Sequence, residues 1–127
     1  MIIDSSIAVA VCLGEADAEN LIMILEDQES IRMSAASVAE AGIVLDSRRP
    51  GAFDAFLHAL DVNIIAVDSK QATLARKAYL RYGKGSGHPA QLNFGDALAY
   101  AAAVSSSEPL LFKGDDFVHT DVPRFFT

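Results

Sequence analysis

Short apolar runs that alternate with helical patterns are the feature that most constrains how this chain folds. Four such runs, at residues 1–3, 31–33, 62–67 and 110–112, have the length and composition of buried strands. The run at 62–67 is rich in β-branched residues, so we predict a parallel strand covered on both faces. Strands that alternate with helices predict an α/β fold, a three-layer α/β/α arrangement with a central parallel sheet of about four to five strands.

Helical spacing of apolar residues fills the segments between these runs. The predicted helices cover residues 7–13, 15–29, about 38–47, 52–60, 69–83 and a segment that begins after Asn93. Serines supply most of the predicted N-caps: Ser5 or Ser6 for the first helix, Ser34 or Ser37 for the third and Ser69 for the fifth. Ligands of such sheets bind beyond the carboxyl ends of the strands, so functional residues are expected there.

Length and composition indicate one globular unit. A chain of 127 residues with 51% hydrophobic residues is expected to form a single domain, residues 1–127, with its own core. The apolar run at 5–13 follows Asp4 rather than Lys or Arg, which is unlike a secretory signal, and no segment has the roughly 20 apolar residues of a membrane span. We therefore expect a cytoplasmic protein. The single cysteine, Cys12, lies among apolar residues and is interpreted as a small buried hydrophobe.

Charge is distributed unevenly along the chain. The net charge of −7 argues against non-specific binding to a polyanion. Residues 69–95 nevertheless contain no Asp or Glu, and four of the ten basic residues lie close together there: Arg76, Lys77, Arg81 and Lys84. This basic patch either contacts phosphates or an acidic partner, or it only solvates one face of a helix.

Asp96 and Asp4 each have two interpretations. Asp96 is the only charge in the stretch L-N-F-G-D-A-L-A-Y-A-A-A, and it stands where the acid of a capping box with Asn93 would stand. Asp4 directly follows the first predicted strand, where it is either an N-cap or a residue of a functional site at the sheet edge. Capping and a site role are compatible for both residues.

Glu40 and the pair Asp115 and Asp116 complete the set of candidate acids. Glu40 has the apolar or small helical neighbours Ile43 and Ser37, which puts it on or beside a buried face, where a carboxylate is costly unless it is paired or bound to metal. A position at the edge of that face, on the surface, is the alternative. Asp115 and Asp116 follow the last predicted strand and are either solvated turn residues or members of the same edge.

These acids are far apart in sequence, yet a parallel sheet would bring them to one edge. Carboxylates about 4 Å apart repel each other by roughly 4 kcal/mol at an effective dielectric constant near 20, so such a cluster requires protons or a cation. No Cys or His accompanies the acids, and oxygen ligands alone favour Mg²⁺ or Mn²⁺ over zinc. The sequence therefore predicts a site for a hard divalent cation.

The motifs that carry these acids resemble the PIN-domain ribonucleases, and among them the VapC-type toxins of bacterial type II toxin-antitoxin systems. The resemblance lies in M-I-I-D-S-S-I-A-V-A, S-A-A-S-V-A-E-A-G-I-V-L-D-S, G-S-G-H-P-A-Q-L-N-F-G-D and L-L-F-K-G-D-D-F, and it covers essentially the whole chain. It implies that Asp4, Glu40 and Asp96 bind metal and act in catalysis, with Asp116 as the fourth acid and Asp115 as the competing choice. Ser5 stands where the family usually has Thr, so the hydroxyl is kept.

The resemblance also implies an activity and partners. A PIN-like fold of this type is expected to be a homodimeric endoribonuclease that uses Mg²⁺ or Mn²⁺ to hydrolyse RNA, leaving a 5′ phosphate and a 3′ hydroxyl. A VapB-like antitoxin is expected to wrap the toxin and insert a basic residue into the acidic pocket. The basic patch is then a candidate RNA contact, with Tyr79, Tyr82 or His88 available for bases.

Two other classes of protein fit part of the pattern. A signalling receiver domain has an acidic Mg²⁺ pocket at its strand ends and a Lys after the last strand, and Lys113 follows the last strand here. Such a domain, however, requires an acidic pair after the first strand, and Asp4 is followed by Ser5. The other class is a non-catalytic binding module on the same fold, which does not require all of the acids to be present.

Overall fold

The computed structural model describes residues 1–125, and alternating strands and helices run through most of that length. In chain order the elements are β1 (Ile2–Ile3), α1 (Ser5–Cys12), α2 (Ala18–Glu26), β2 (Arg32–Ser34), α3 (Ala35–Arg48), α4 (Ala52–Ala59), β3 (Asn63–Ile65), α5 (Ser69–Tyr82), α6 (Phe94–Ser106) and β4 (Leu110–Leu111). The strands form one parallel sheet with the order β3-β2-β1-β4. The prediction of an α/β fold around a parallel sheet of four to five strands is confirmed.

The sheet separates two hydrophobic cores. Ile3 packs with residues of α1, α2, α3 and α4, whereas Ile2 packs with residues of α5 and α6 on the other face. Successive side chains of a strand point to opposite faces, so two neighbouring isoleucines serve both cores. Leu111 and Leu110 divide in the same way. The result is the predicted three-layer arrangement.

Helix α6 is buried on nearly every side. All residues from Asp96 to Ala103 are buried, because the helix lies against α3, α5 and three strands of the sheet. Small alanine side chains allow these neighbours to approach closely. This packing fixes the first turn of α6 at the carboxyl edge of the sheet, where β1 also ends.

The predicted N-cap of α5 was wrong by one position, whereas the N-cap of α1 is Asp4, which was one of the candidates. Asp4 caps α1 by accepting a hydrogen bond from the backbone N–H of Ser6, and Asp68 caps α5 by accepting one from Gln71. In both places an aspartate directly precedes the serine that was expected to cap, and both residue types are good capping acceptors. Ser34, one of the two serines considered for α3, does cap that helix.

Helix α2 begins at Ala18, later than the predicted start at residue 15. Glu15 and Asp17 bind the ammonium group of Lys113 instead, at 2.8 and 2.9 Å. A contact with a residue so distant in sequence cannot be read from local helical spacing. The local pattern therefore did not indicate that Glu15 and Asp17 lie outside this helix.

The prediction that strand β3 is buried on both faces was wrong. It is shorter than the predicted run at 62–67 and lies at the edge of the sheet, where Ile64 is 54% exposed and Val67, beyond the strand, is 39% exposed. Within residues 1–125 the strand order ends at β3, so its β-branched composition does not correspond to full burial here.

Two other predictions concern burial. Cys12 is buried, with its thiol 3.7 Å from the carbonyl oxygen of Ala52, and burial raises the pKa of the thiol. The interpretation of Cys12 as a buried hydrophobe is confirmed. Within residues 1–125, no helix combines the length and the apolar character needed to cross a membrane.

Candidate metal centre at the carboxyl edge of the sheet

Four acids from distant parts of the chain lie at the carboxyl edge of the sheet, and we call them the acidic rim: Asp4, Glu40, Asp96 and Asp116. Asp4 directly follows β1, Glu40 lies in α3, Asp96 lies in the first turn of α6, and Asp116 lies in the turn after β4. The charges of Asp116, Asp4 and Glu40, in decreasing order, each raise the pKa of Asp96. The structure therefore brings all four predicted acids into electrostatic contact.

Asp4 has one carboxylate oxygen that is buried without a partner. The residue is only 6% exposed; Oδ2 accepts the N–H of Ser6 at 3.1 Å, while no hydrogen-bond donor within residues 1–125 reaches Oδ1. Burial is the main cause that raises the pKa of Asp4, and the charge of Glu40 raises it further. An unpaired buried acceptor costs about 1–3 kcal/mol, so this oxygen is suited to a ligand that carries positive charge.

Asp96 combines the two roles that its position in the sequence suggested. Its side chain accepts the N–H of Asn93 at 3.0 Å, and the Asn93 side chain accepts the N–H of Asp96 at 2.8 Å, which completes a capping box. Asp96 is also 7% exposed, and burial, followed by the rim charges, raises its pKa to about 6. The capping bond fixes the carboxylate, and the neighbouring acids make its negative charge unfavourable without a cation.

Glu40 is held between two other elements. It is partly buried, and the hydroxyl of Ser5 donates a hydrogen bond to its Oε1. On the other side, the carboxylate lies against the backbone of Gly95. Sequence reasoning missed these contacts, although both neighbours stand next to a predicted acid, Ser5 after Asp4 and Gly95 before Asp96.

The turn after β4 distinguishes Asp116 from Asp115. Both residues are exposed. Among the rim charges, Asp116 has the largest effect on the pKa of Asp96, whereas the interaction described for Asp115 is through its backbone carbonyl, which accepts the N–H of Val118. This geometry favours Asp116 as the fourth acid.

The donor set of the acidic rim fits a hard divalent cation in its chemistry. All of the side chains are carboxylates, which suit Mg²⁺ or Mn²⁺. Within the described part of the chain, no three His, Cys, Asp or Glu side chains already stand together as a complete ligand set. Carboxylates of like charge repel one another, and a divalent cation would offset that repulsion.

The basic patch on α5 is only partly available to a ligand. Arg76, Lys77 and Lys84 are exposed, but Arg81 lies over the ring of Tyr82 and 3.9 Å from Asp121. Tyr82 itself is buried, so its predicted availability to RNA bases was wrong. All four cations of the patch lie on the surface, and Arg81 is at the same time engaged with Tyr82 and Asp121.

Tyr82 instead belongs to a hydrogen-bond cluster that sequence reasoning missed, in which two buried tyrosines meet the exposed Asp121. The hydroxyl groups of Tyr82 and Tyr100 both donate to Oδ1 of Asp121, at 3.0 and 2.6 Å. These bonds lower the pKa of Asp121 and attach the segment after β4 to α5 and α6. Because Asp116 lies in that segment, the cluster helps to fix the fourth acid.

Lys113 does not occupy the position that a receiver domain requires. Its ammonium group binds Glu15 and Asp17, and its backbone N–H donates to the hydroxyl of Ser6. The charge that would have to face the acidic pocket is directed elsewhere. The receiver interpretation therefore lacks its lysine.

Comparison with known proteins defines the class. The family model of the PIN domain matches residues 1–123, a range that contains the complete acidic rim. Among solved structures, VapC20 of Mycobacterium tuberculosis, described as a toxin that cleaves the sarcin-ricin loop, has a TM-score of 0.75 at 16% identity and covers 95% of each chain. A toxin-antitoxin complex from Klebsiella pneumoniae has a TM-score of 0.73 at 17% identity and covers 94% of this chain and 92% of its own. Both share the fold.

Sequence comparison narrows the class further. Ribonuclease VapC28 of Mycobacterium tuberculosis is 47% identical in an alignment of 128 positions that covers 98% of this chain and 96% of that protein. At that identity and coverage the relationship extends beyond fold. This chain belongs to the PIN-domain family and, within it, to the VapC ribonucleases.

Proposed function

We propose that this chain is a metal-dependent endoribonuclease toxin that hydrolyses RNA phosphodiester bonds at its acidic rim. Its membership of the VapC ribonucleases supports the activity. The observation that carries the metal dependence is Asp4 Oδ1, buried without a partner beside a second buried carboxylate, Asp96. The proposed ligands are Asp4, Glu40, Asp96 and Asp116, and the proposed ion is Mg²⁺ or Mn²⁺.

The four acids of the acidic rim are proposed to have two different roles. Asp4 and Asp96 are buried and fixed by their capping bonds, so they are the proposed principal ligands. Glu40 and Asp116 are more exposed, and each is placed either to complete the ligand set or to accept a proton from the attacking water. A cation held there supplies positive charge that polarises the scissile phosphate and lowers the pKa of that water.

RNA is the proposed substrate, and the basic patch is its proposed contact. Arg76, Lys77 and Lys84 lie exposed on α5 and the loop that follows it, and Tyr79 is partly exposed beside them. These cations would attract RNA phosphates locally although the net charge of the chain is −7, and base stacking on Tyr79 does not require a particular sequence. The proposed location of the protein is the cytoplasm, where RNA is present.

The proposed protein partner is a VapB-like antitoxin that inserts a basic residue into the acidic rim. Two buried carboxylates with raised pKa values favour an incoming cation, whether it is a metal or a guanidinium group. We expect the two cations to exclude each other, so a complex with the antitoxin should not bind Mn²⁺ in calorimetry. Simultaneous binding of antitoxin and Mn²⁺ would contradict this model of inhibition.

A homodimer is proposed through the exposed edge of the sheet. Ile64 pairs with Met33 in register and so points to the face covered by α3, where Ile43 is 77% exposed. A second copy that covers both isoleucines would remove apolar surface from water. Analytical ultracentrifugation should find a dimer for the wild type and a monomer for Ile64→Lys; a monomeric wild type would refute the proposal.

The activity is tested with purified protein, RNA and a divalent metal. The wild type should cut RNA in Mg²⁺ or Mn²⁺, leaving 5′ phosphates, and chelation should stop the reaction. Asp4→Asn and Asp96→Asn should be inactive, whereas Asp68→Asn, at an exposed capping aspartate outside the acidic rim, should retain activity. Sequencing of the 5′ ends that accumulate during expression would then identify the target. RNA cleavage that persists after chelation of the metal would overturn the proposed metal-dependent mechanism. So would RNA cleavage by the Asp4→Asn or the Asp96→Asn variant.

A further inference from the structure

Gly95 stands closer to a rim carboxylate than any other residue type would permit. A Cβ atom at this position would lie 2.2 Å from Oε2, 2.9 Å from Cδ and 3.1 Å from Oε1 of Glu40. Real Cβ atoms do not approach other atoms to within 3.0 Å, so a side chain here would displace the carboxylate. Gly95 is not among the residues with positive φ, and space rather than backbone conformation therefore explains the glycine.

The other side of the Glu40 carboxylate is fixed as well. The hydroxyl of Ser5 donates a hydrogen bond to Oε1, while Oε2 faces the Gly95 backbone. Ser5 is joined to Asp4, and Gly95 is joined to Asp96. The placement of Glu40 is thus coupled through the backbone to the two buried acids of the rim.

We infer that Gly95 is a positioning residue for Glu40: its missing side chain is the space in which the carboxylate reaches the acidic rim. The inference rests on the proposed function, because it gives Glu40 a part in metal binding. Ser5 holds the Glu40 carboxylate through a hydrogen bond, and Gly95 leaves the space that the carboxylate occupies. A larger residue at 95 would leave Asp4 and Asp96 in place and move only Glu40.

The experiment compares Gly95→Ala with Gly42→Ala, a matched control. Gly42 lies in α3 two residues after Glu40, and a Cβ atom there would meet its nearest neighbour at an ordinary 3.5 Å. Both substitutions add one methyl group to a helix and improve helix propensity, so both proteins should fold. Titration with Mn²⁺ should give roughly tenfold weaker binding for Gly95→Ala, the scale of losses when a supporting contact is removed, and wild-type binding for Gly42→Ala.

A double-substitution cycle separates action through Glu40 from a general structural effect. In a Glu40→Ala background the added methyl group has no carboxylate to displace, so Gly95→Ala should cause no further loss of Mn²⁺ affinity. If Gly95→Ala reduces Mn²⁺ affinity by the same factor in the wild-type and in the Glu40→Ala background, the inference is overturned. So would equal Mn²⁺ binding by Gly95→Ala and the wild type.

A crystal structure of metal-free Gly95→Ala gives a readout that does not depend on metal. The Glu40 carboxylate should have moved away from Ser5 and α6. If the carboxylate keeps its place, the inference is wrong even when the wild type binds Mn²⁺. Conversely, a wild type that binds no Mn²⁺ refutes the proposed metal site, while the position of Glu40 in this variant still decides the role of Gly95.

Discussion

Replacing Asp96 by Asn should stabilise the metal-free protein while abolishing its activity. The amide oxygen of Asn can still accept the N–H of Asn93, so the capping box keeps its geometry. The substitution removes the negative charge of a residue that is only 7% exposed. The charges of Asp116, Asp4 and Glu40 repel that negative charge. The acidic rim therefore costs stability when no cation is present.

The size of the gain follows from the pKa of Asp96. Burial and the neighbouring charges raise it from 3.8 to about 6. At about 1.4 kcal/mol per pKa unit, the ionised carboxylate destabilises the folded state by roughly 3 kcal/mol, which is an upper limit for the gain. For a chain of this length, a stabilisation of about 1–3 kcal/mol should raise the melting temperature by roughly 3–10 °C.

The gain should depend on pH in a defined direction. Well below pH 3.8 the carboxyl group is protonated in both the folded and the unfolded chain, so it carries no penalty. Between 3.8 and about 6 the unfolded chain ionises first, and the stability of the wild type falls relative to the variant. Above about pH 6 the full penalty is present, and the difference between the two proteins should become constant.

Thermal unfolding with a chelator present, at pH 7.5 and at pH 4, measures these differences. We expect Asp96→Asn to melt above the wild type at the higher pH and close to it at the lower pH. Added Mg²⁺ should raise the melting temperature of the wild type and leave the variant nearly unchanged. A variant that melts below the wild type at both pH values would refute the electrostatic reasoning.

Three further predictions concern residues around the rim. Ser5→Ala removes the hydroxyl that donates to Glu40 and should reduce the rate of RNA cleavage roughly tenfold with little change in melting temperature; Ser47→Ala, which removes an exposed hydroxyl that donates to the carbonyl oxygen of Val44, should leave the rate unchanged. Tyr100→Phe should lower the free energy of unfolding by about 1 kcal/mol at neutral pH, because the hydrogen bond to Asp121 is lost. Since this bond lowers the pKa of Asp121, the part of its contribution that depends on the carboxylate charge is present above the unfolded pKa and is lost as the pH falls through the folded pKa, so the difference measured by urea unfolding should become smaller in acid. Exposed Lys77→Glu should weaken RNA binding and reduce its salt dependence without changing Mn²⁺ affinity; unchanged RNA binding would exclude that part of the basic patch.

The placement of the acids could be predicted because it follows from topology. A residue that directly follows a parallel strand, as Asp4 follows β1, lies at the same edge as the residue after any other strand. Asp96 could be placed there as well, since a helix as apolar as α6 must pack between other elements. The sequence therefore predicts which acids meet, without knowledge of the distances between them.

Contacts between distant residues could not be predicted in this way. Glu15 and Asp17 bind Lys113 just before α2 begins, and neither partner carries a local signal for this contact. The position of β3 at the edge of the sheet depends on strand order, so the exposure of Ile64 does not follow from its composition. Choices between adjacent acceptors, such as Asp68 and Ser69, depend on small differences in backbone geometry.

Capping explains how buried carboxylates can stay rigid in a site where their charges repel. Asp4 and Asp96 each use Oδ2 to accept a backbone N–H at a helix start, so each carboxylate is held by the backbone rather than by a neighbouring side chain. Asn at either position keeps the capping bond and loses the charge, whereas Ala loses both. The difference between Asn and Ala variants therefore measures the cap, expected at about 1 kcal/mol.

The same pair of substitutions at Asp68 provides the reference. Asp68 caps α5 with an exposed side chain outside the rim, so Asp68→Asn should change the melting temperature little, and Asp68→Ala should lower it by the loss of the cap alone. At Asp4, by contrast, Asp4→Asn should melt above the wild type because burial and the charge of Glu40 raise the pKa of the native carboxyl. If Asp4→Asn and Asp68→Asn behave alike, the charge of Asp4 carries no cost in the metal-free fold, and the need of the rim for a cation loses its physical basis.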